Sequence, residues 1–129
     1  MITLVKAQEL AAKAHAKAAE LGVKVTVAVT DASGVVVLLE RNEGALVVSP
    51  TFAKAKAYTA ATLCMPTSAL AGFTGDGKPY AGLRDLSKKF TTIAGGLPIT
   101  EGEQVVGGIG VGGSQDPTQD EQCAAAALA

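Results

Sequence analysis

Tryptophan is absent from this 129-residue chain, aromatic residues make up only 4%, and there are one histidine and two cysteines. Each shortage excludes something. With His15 as the only imidazole, a Ser-His-Asp site or a multi-histidine metal centre cannot be assembled within one chain. Cys64 and Cys123 are too few and too far apart for a metal-ligand spacing, and without a signal-peptide pattern they are expected to be reduced thiols. The opening Met-Ile-Thr-Leu-Val-Lys carries no apolar core of an export signal, and nowhere is there a run of about 18 apolar residues. No membrane contact and a cytoplasmic location are therefore expected. The charges nearly cancel, 11 basic against 12 acidic, for a net charge of −1 with no basic patch, which argues against nucleic acid as a partner.

What is present is aliphatic. The hydrophobic share is 48%, alanine is abundant and glycine occurs 15 times. Such a chain fits one domain, residues 1–129, with helices lying close to their neighbours over small side chains. So little large apolar surface in one small core favours self-association.

The strongest local signal is Val23 to Arg41, two β-branched runs separated by Asp31-Ala-Ser-Gly34, with Gly34 placed where a hairpin needs positive φ. The second run is almost wholly apolar, which predicts that it is the strand covered on both faces. Before it, Ala7, Leu10, Ala11, Ala14, Ala18 and Leu21 recur at helical spacing between Thr3 as N-cap and Gly22 as the stop. His15 lies roughly 90° round from the centre of that stripe, at the border of its buried and wet faces. Ser49-Pro50 opens a second helix, with Ser49 as hydroxyl cap and Pro50 at the first helical position, to about Leu63, with Phe52, Ala53, Ala57, Ala60 and Ala61 inward and Lys54 and Lys56 on its wet flank. Residues 72–92 are loop chemistry with a short helix near Leu83 to Lys89. Gly95-Gly-Leu-Pro98-Ile starts a strand, Glu101-Gly-Glu103 turns it, Gln104 to Val111 returns, and Asp116 to Ala129 is a last helix.

Single motifs are weak. Gly108-Ile-Gly110-Val-Gly-Gly113 matches a dinucleotide-binding pattern, but only 16 residues follow Gly113, too few for the acidic residue expected about 20 positions on. Its plainer meaning is a strand that another element approaches closely. Asp31 suits a turn cap and Arg41 an ion pair at the surface or between subunits. Asp116, Asp120 and Glu121 suit the positive end of the last helix.

Taken in order, Val27-Ala-Val-Thr-Asp-Ala-Ser-Gly34 leading to Leu-Glu-Arg41, Ala53-Lys-Ala-Lys-Ala-Tyr-Thr-Ala60, Gly95-Gly-Leu-Pro98-Ile, and Val106-Gly-Gly-Ile-Gly-Val-Gly-Gly113 followed by Gln119-Asp-Glu121 span nearly the whole chain. This set resembles the GlcG/HbpS family of small haem-binding proteins, and with it the C-terminal domain of some corrinoid adenosyltransferases. The resemblance implies an α/β fold of α+β type: one three-layer domain with a central antiparallel sheet of about five strands flanked by helices, assembled into tetramers or octamers. It implies haem or another tetrapyrrole as ligand and an iron-handling, redox or accessory role. His15 falls on the family's helix-borne histidine, the expected axial ligand. Arg41, Lys54, Gly95, Gly96 and Pro98 match positions that shape the pocket or a subunit contact. The competing reading is a small enzyme or accessory subunit acting on an organic acid or carbonyl compound, with Asp31 or His15 moving a proton and Arg41 or Lys54 holding a carboxylate. A third is an accessory subunit that meets only protein partners.

Overall fold

The computed structural model describes residues 1–129. The first helix, α1, runs Leu4–Leu21, started by Thr3, whose hydroxyl accepts from the Lys6 amide at 3.1 Å, and ended by Gly22 at φ +75°. Its buried face is the expected stripe of Ala7, Leu10, Ala11, Ala14 and Ala18. The hairpin follows as β1 (Thr26–Asp31) and β2 (Val36–Arg41). Asp31 Oδ1 accepts from the amides of Ser33 and Val35 at 2.9 and 3.0 Å, and Gly34 takes φ +80°, so the turn forms as its residues dictate.

Helix α2 spans Ser49–Leu63 and the short α3 spans Thr67–Leu70, followed by a 3-10 turn over Ala71–Phe73. Then come α4 (Leu83–Leu86), β3 (Gly96–Glu101), β4 (Gln104–Gly112) and α5 (Pro117–Leu128). The strands form one antiparallel sheet in the order β2-β1-β4-β3. There are four strands rather than about five, because residues 74–95 supply turns and α4 but no further strand. Helices α1 and α5 pack on one face and α2 on the other. The side chains of β1 show this by their alternation: Val27 and Val29 join the core under α1 and α5, while Ala28 meets Ala53 and Ala57 of α2.

Four further expectations from the sequence are corrected. The strand covered on both faces is β1, not the more apolar β2, which lies at the sheet edge with Val36 and Leu39 exposed. Threonines hide the central strand from a hydropathy reading. Thr26 and Thr30 are fully buried, the first hydrogen-bonded to Ser49 at 2.7 Å and the second to the Asp31 carbonyl at 3.0 Å. Ser49 does not cap α2; its hydroxyl is used by Thr26 and by the Leu46 carbonyl at 2.6 Å, and Val48 occupies the cap position without a side-chain bond. Phe52 turns outward and is 40% exposed, whereas Lys56 is buried.

The close seating of α2 explains the glycines of β4. Gly108, Gly110 and Gly112 alternate along the strand and so share the face toward α2. A Cβ at Gly108 would collide with the Ala57 carbonyl, and one at Gly110 with the Ala53 carbonyl. The glycine pattern therefore serves helix–sheet contact at backbone distance, as its plainer meaning held.

Candidate functional site

Three polar constellations stand out. The first lies at the α1–β2 border. His15 is half-buried, and its Nε2 sits 3.2 Å from Glu40 Oε1 on the edge strand. Its Nδ1 is buried without a hydrogen-bond partner. Ala12 and Ala19, one helical turn before and after His15, are exposed, so α1 itself sets only methyl groups beside the ring.

The second is a trough on the other side of the sheet, about 450 Å³ in volume, between the β1–β2 turn, the outer face of α2 and the loop after α4. Lys54, Lys88, Lys89 and Tyr58 line it together with Val35 and Val36.

The third is enclosed. Lys56 Nζ donates to Asp120 Oδ2 at 3.0 Å and to the Val111 carbonyl at 2.8 Å, both side chains being almost wholly buried, and Asp120 also accepts from the Ser114 amide at 3.1 Å. The pair links α2 to α5 across the end of the sheet. Burial pushes the Lys56 ammonium down and the Asp120 carboxyl up, and the attraction between the two opposes both shifts. Gly95 and Gly96 make room for this crossing: a Cβ on Gly95 would lie 2.8 Å from Lys56 Nζ, and one on Gly96 would strike the Lys56 carbonyl.

Of the residues singled out from the sequence, His15 takes its border position, and Lys54 lines the trough. They do not meet, since α1 and α2 cover opposite faces. Arg41 forms no ion pair within this chain; it donates to the Ala45 carbonyl at 2.5 Å. Gly95 and Gly96 are buried against Lys56, and Pro98 is on the edge strand β3. Asp31 is committed to its turn, its Oδ1 taken by the Ser33 and Val35 amides. Asp116 does cap α5, accepting from the Thr118 amide at 2.9 Å. Asp120, by contrast, is drawn inward rather than toward the solvent end of the helix. Sequence reasoning missed the buried pair, although a signal was there: residues 53, 56, 57 and 60 and residues 120, 123, 124 and 127 each follow the i, i+3, i+4, i+7 pattern. Lys56 and Asp120 hold the one charged position in otherwise small apolar stripes. Lys88, Lys89 and Tyr58 share no spacing that would reveal the trough.

A family model described as "Haem degrading protein HbpS-like" matches residues 2–129, and the chain belongs to that family. A 15.0 kDa protein of the dhaT-dhaS intergenic region in Citrobacter freundii is 34% identical over 113 residues, 87% of this chain and 80% of that protein. The corrinoid adenosyltransferase PduO of Salmonella typhimurium is 33% identical over 123 residues, which are 93% of this chain but 37% of PduO. Among solved structures, Klebsiella pneumoniae ORFY superposes with a TM-score of 0.93 at 34% identity, covering 98% of this chain and 88% of that one. A PduOC:haem complex gives 0.92 at 30% identity, covering 98% and 92%. HbpS gives 0.90 at 36% identity, covering 98% and 86%.

Proposed function

We propose that this chain is a haem-binding protein that works as a homo-oligomer, with His15 as axial ligand to the iron. The observation that carries the reading is the state of His15. One ring nitrogen is held by a carboxylate while the other has no partner, and a metal ligand is commonly oriented in this way by a second hydrogen bond. An unpaired buried nitrogen costs roughly 1 to 3 kcal/mol. The Glu40 contact, being exposed, is worth about 1 kcal/mol or less. Turning the ring so that Nδ1 becomes accessible is therefore inexpensive. The haem complex of PduOC, alike in fold over 98% of this chain, supports the same ligand.

The His15 imidazole would hold the iron of a bound haem, which would supply redox chemistry there. The chain's own part is to orient the ring through Glu40. Lys54 lies on the opposite face, so cations for the propionates of a haem on His15 would come from elsewhere, Lys13 and Lys17 on the same helix being the nearest in sequence; assembly into a tetramer or octamer is part of this proposal. An accessory role in iron or redox handling, in the cytoplasm, belongs to the same proposal. Arg41, Gly95, Gly96 and Pro98 then act on the architecture: Arg41 ties down the turn before α2, and the glycines admit Lys56.

Titration of the purified protein with haemin tests this. A red-shifted Soret band that saturates in the wild type and is lost or displaced in His15→Ala is expected. A wild-type Soret band unchanged in His15→Ala, or no band at all, would overturn the assignment.

A further inference from the structure

The lysine-lined trough is not used by the haem reading, and its make-up is unusual for this chain. Lys54, Lys88 and Lys89 line it, no acidic residue does, and the three ion pairs of the chain are all made by other side chains. Ammonium groups gathered without a counter-charge repel one another, and an anion placed among them removes that cost. The remaining wall joins a packed tyrosine ring and two valines to the small residues of the turn and of α2. Tyr58 is pressed between the β1–β2 turn, where a Cβ on Gly34 would lie 2.5 Å from its ring, and Phe90, whose ring centroid is 5.5 Å away. Lys89 Nζ stands 5.5 Å from the Tyr58 centroid, the reach of a cation–π contact that keeps the ammonium at the rim. Val35 and Val36, 62% and 43% exposed, complete the wall with surface that a ligand body would remove from water.

We propose that this trough binds a small organic dianion with a flat apolar body, an aromatic dicarboxylate or an equivalent phosphorylated aromatic, at a site separate from that of haem. Lysines fit either kind of anionic oxygen because they act as point charges rather than as a planar fork. Tyr58 and the two valines take the body, and the hydroxyls of Ser33 and Thr51 are available at the walls. A volume of about 450 Å³ lies within the range of small-molecule sites.

The test is calorimetric titration of the full chain with phthalate, phenyl phosphate, succinate and inorganic phosphate. Phthalate or phenyl phosphate is expected to saturate and to bind about fivefold or more tighter than succinate or inorganic phosphate, and whichever aromatic is preferred names the anionic group. The variant K54Q/K88Q/K89Q, altered only at exposed side chains, is expected to keep its melting temperature and to weaken aromatic binding about tenfold or more. His15→Ala is expected to leave it unchanged. No saturation by either aromatic up to about 10 mM, equal binding of succinate, or an unchanged Kd in the triple variant would each overturn the proposal. So would loss of the haemin Soret titration in the triple variant, since the trough would then belong to the haem site. Failure of haemin to bind at all, with phthalate still saturating, would sink the haem reading and leave this one standing.

Discussion

The two faces of the sheet are held by opposite means. Toward α1 and α5, Val27, Val29, Ile109 and Val111 fill the space with branched side chains against Leu10 and a bed of alanines. Toward α2, β4 presents only glycine, and the helix backbone lies directly on it. The first face owes its stability to side-chain volume, which can adjust by rotamer changes. The second owes it to backbone proximity, which has nowhere to give. The difference teaches where this small, aromatic-poor domain can carry a ligand. The α2–β4 contact must stay closed, and the polar groups free to act lie at the rims, His15 on one side and the lysine trough on the other.

The buried pair joining the two faces is the strongest place to break this arrangement. Asp120→Ala leaves the Lys56 ammonium buried without its partner and is expected to cost about 3 to 5 kcal/mol in denaturant unfolding. The double variant Lys56→Met/Asp120→Leu is expected to stay within about 1 kcal/mol of wild type, because the charges and their desolvation go together. A double variant as unstable as the single one would mean that the ion pair itself holds the layers together.

Next come matched substitutions on the two faces. Gly110→Ala adds one methyl group against α2 and is expected to cost about 3 kcal/mol or more, since the Ala53 carbonyl must move. Leu10→Ala removes three carbons from the α1 face and is expected to cost about 2 to 3 kcal/mol, as the neighbouring alanines partly close the space. If adding one carbon at Gly110 proved milder than removing three at Leu10, the contrast between the faces would be wrong.

The last effect is one of pH and shows only in alkali. Cys123 is buried on the α5 side, and desolvation first, then the nearby Asp120 charge, pushes its thiol up to about 11 from an ordinary 9.0. Between those pH values the unfolded chain has lost this proton while the folded chain keeps it. Stability therefore falls as pH rises through the window, by roughly 2 to 3 kcal/mol in all. Cys123→Ala should flatten that slope, measured as the difference between the two proteins' alkaline stability curves. An identical slope in both would place the alkaline loss elsewhere.

The legible parts of the fold were those fixed by local chemistry. Thr3 and Gly22 delimit α1, Asp31 and Gly34 make the hairpin turn, and the alanine spacings identify the helix faces. What was not legible depended on tertiary partners. Thr26 and Thr30 are central because hydroxyl bonds satisfy them, so a polar-looking strand lies inside an apolar-looking one. Lys56 looked like a surface lysine because its carboxylate is 64 positions away. At the candidate site, His15 could be placed from helix geometry alone. Its Glu40 partner could not, because that contact requires knowing that β2 is the edge strand beside α1.

Where the iron sits tests the account most directly. Paramagnetic broadening of amide resonances in the haemin-loaded protein is expected to centre on His15, its helical neighbours Ala12 and Ala19, and Glu40 across from them, leaving Tyr58, Lys88 and Lys89 sharp. Broadening centred on Tyr58 and the lysine trough, with the His15 turn of α1 unaffected, would contradict it.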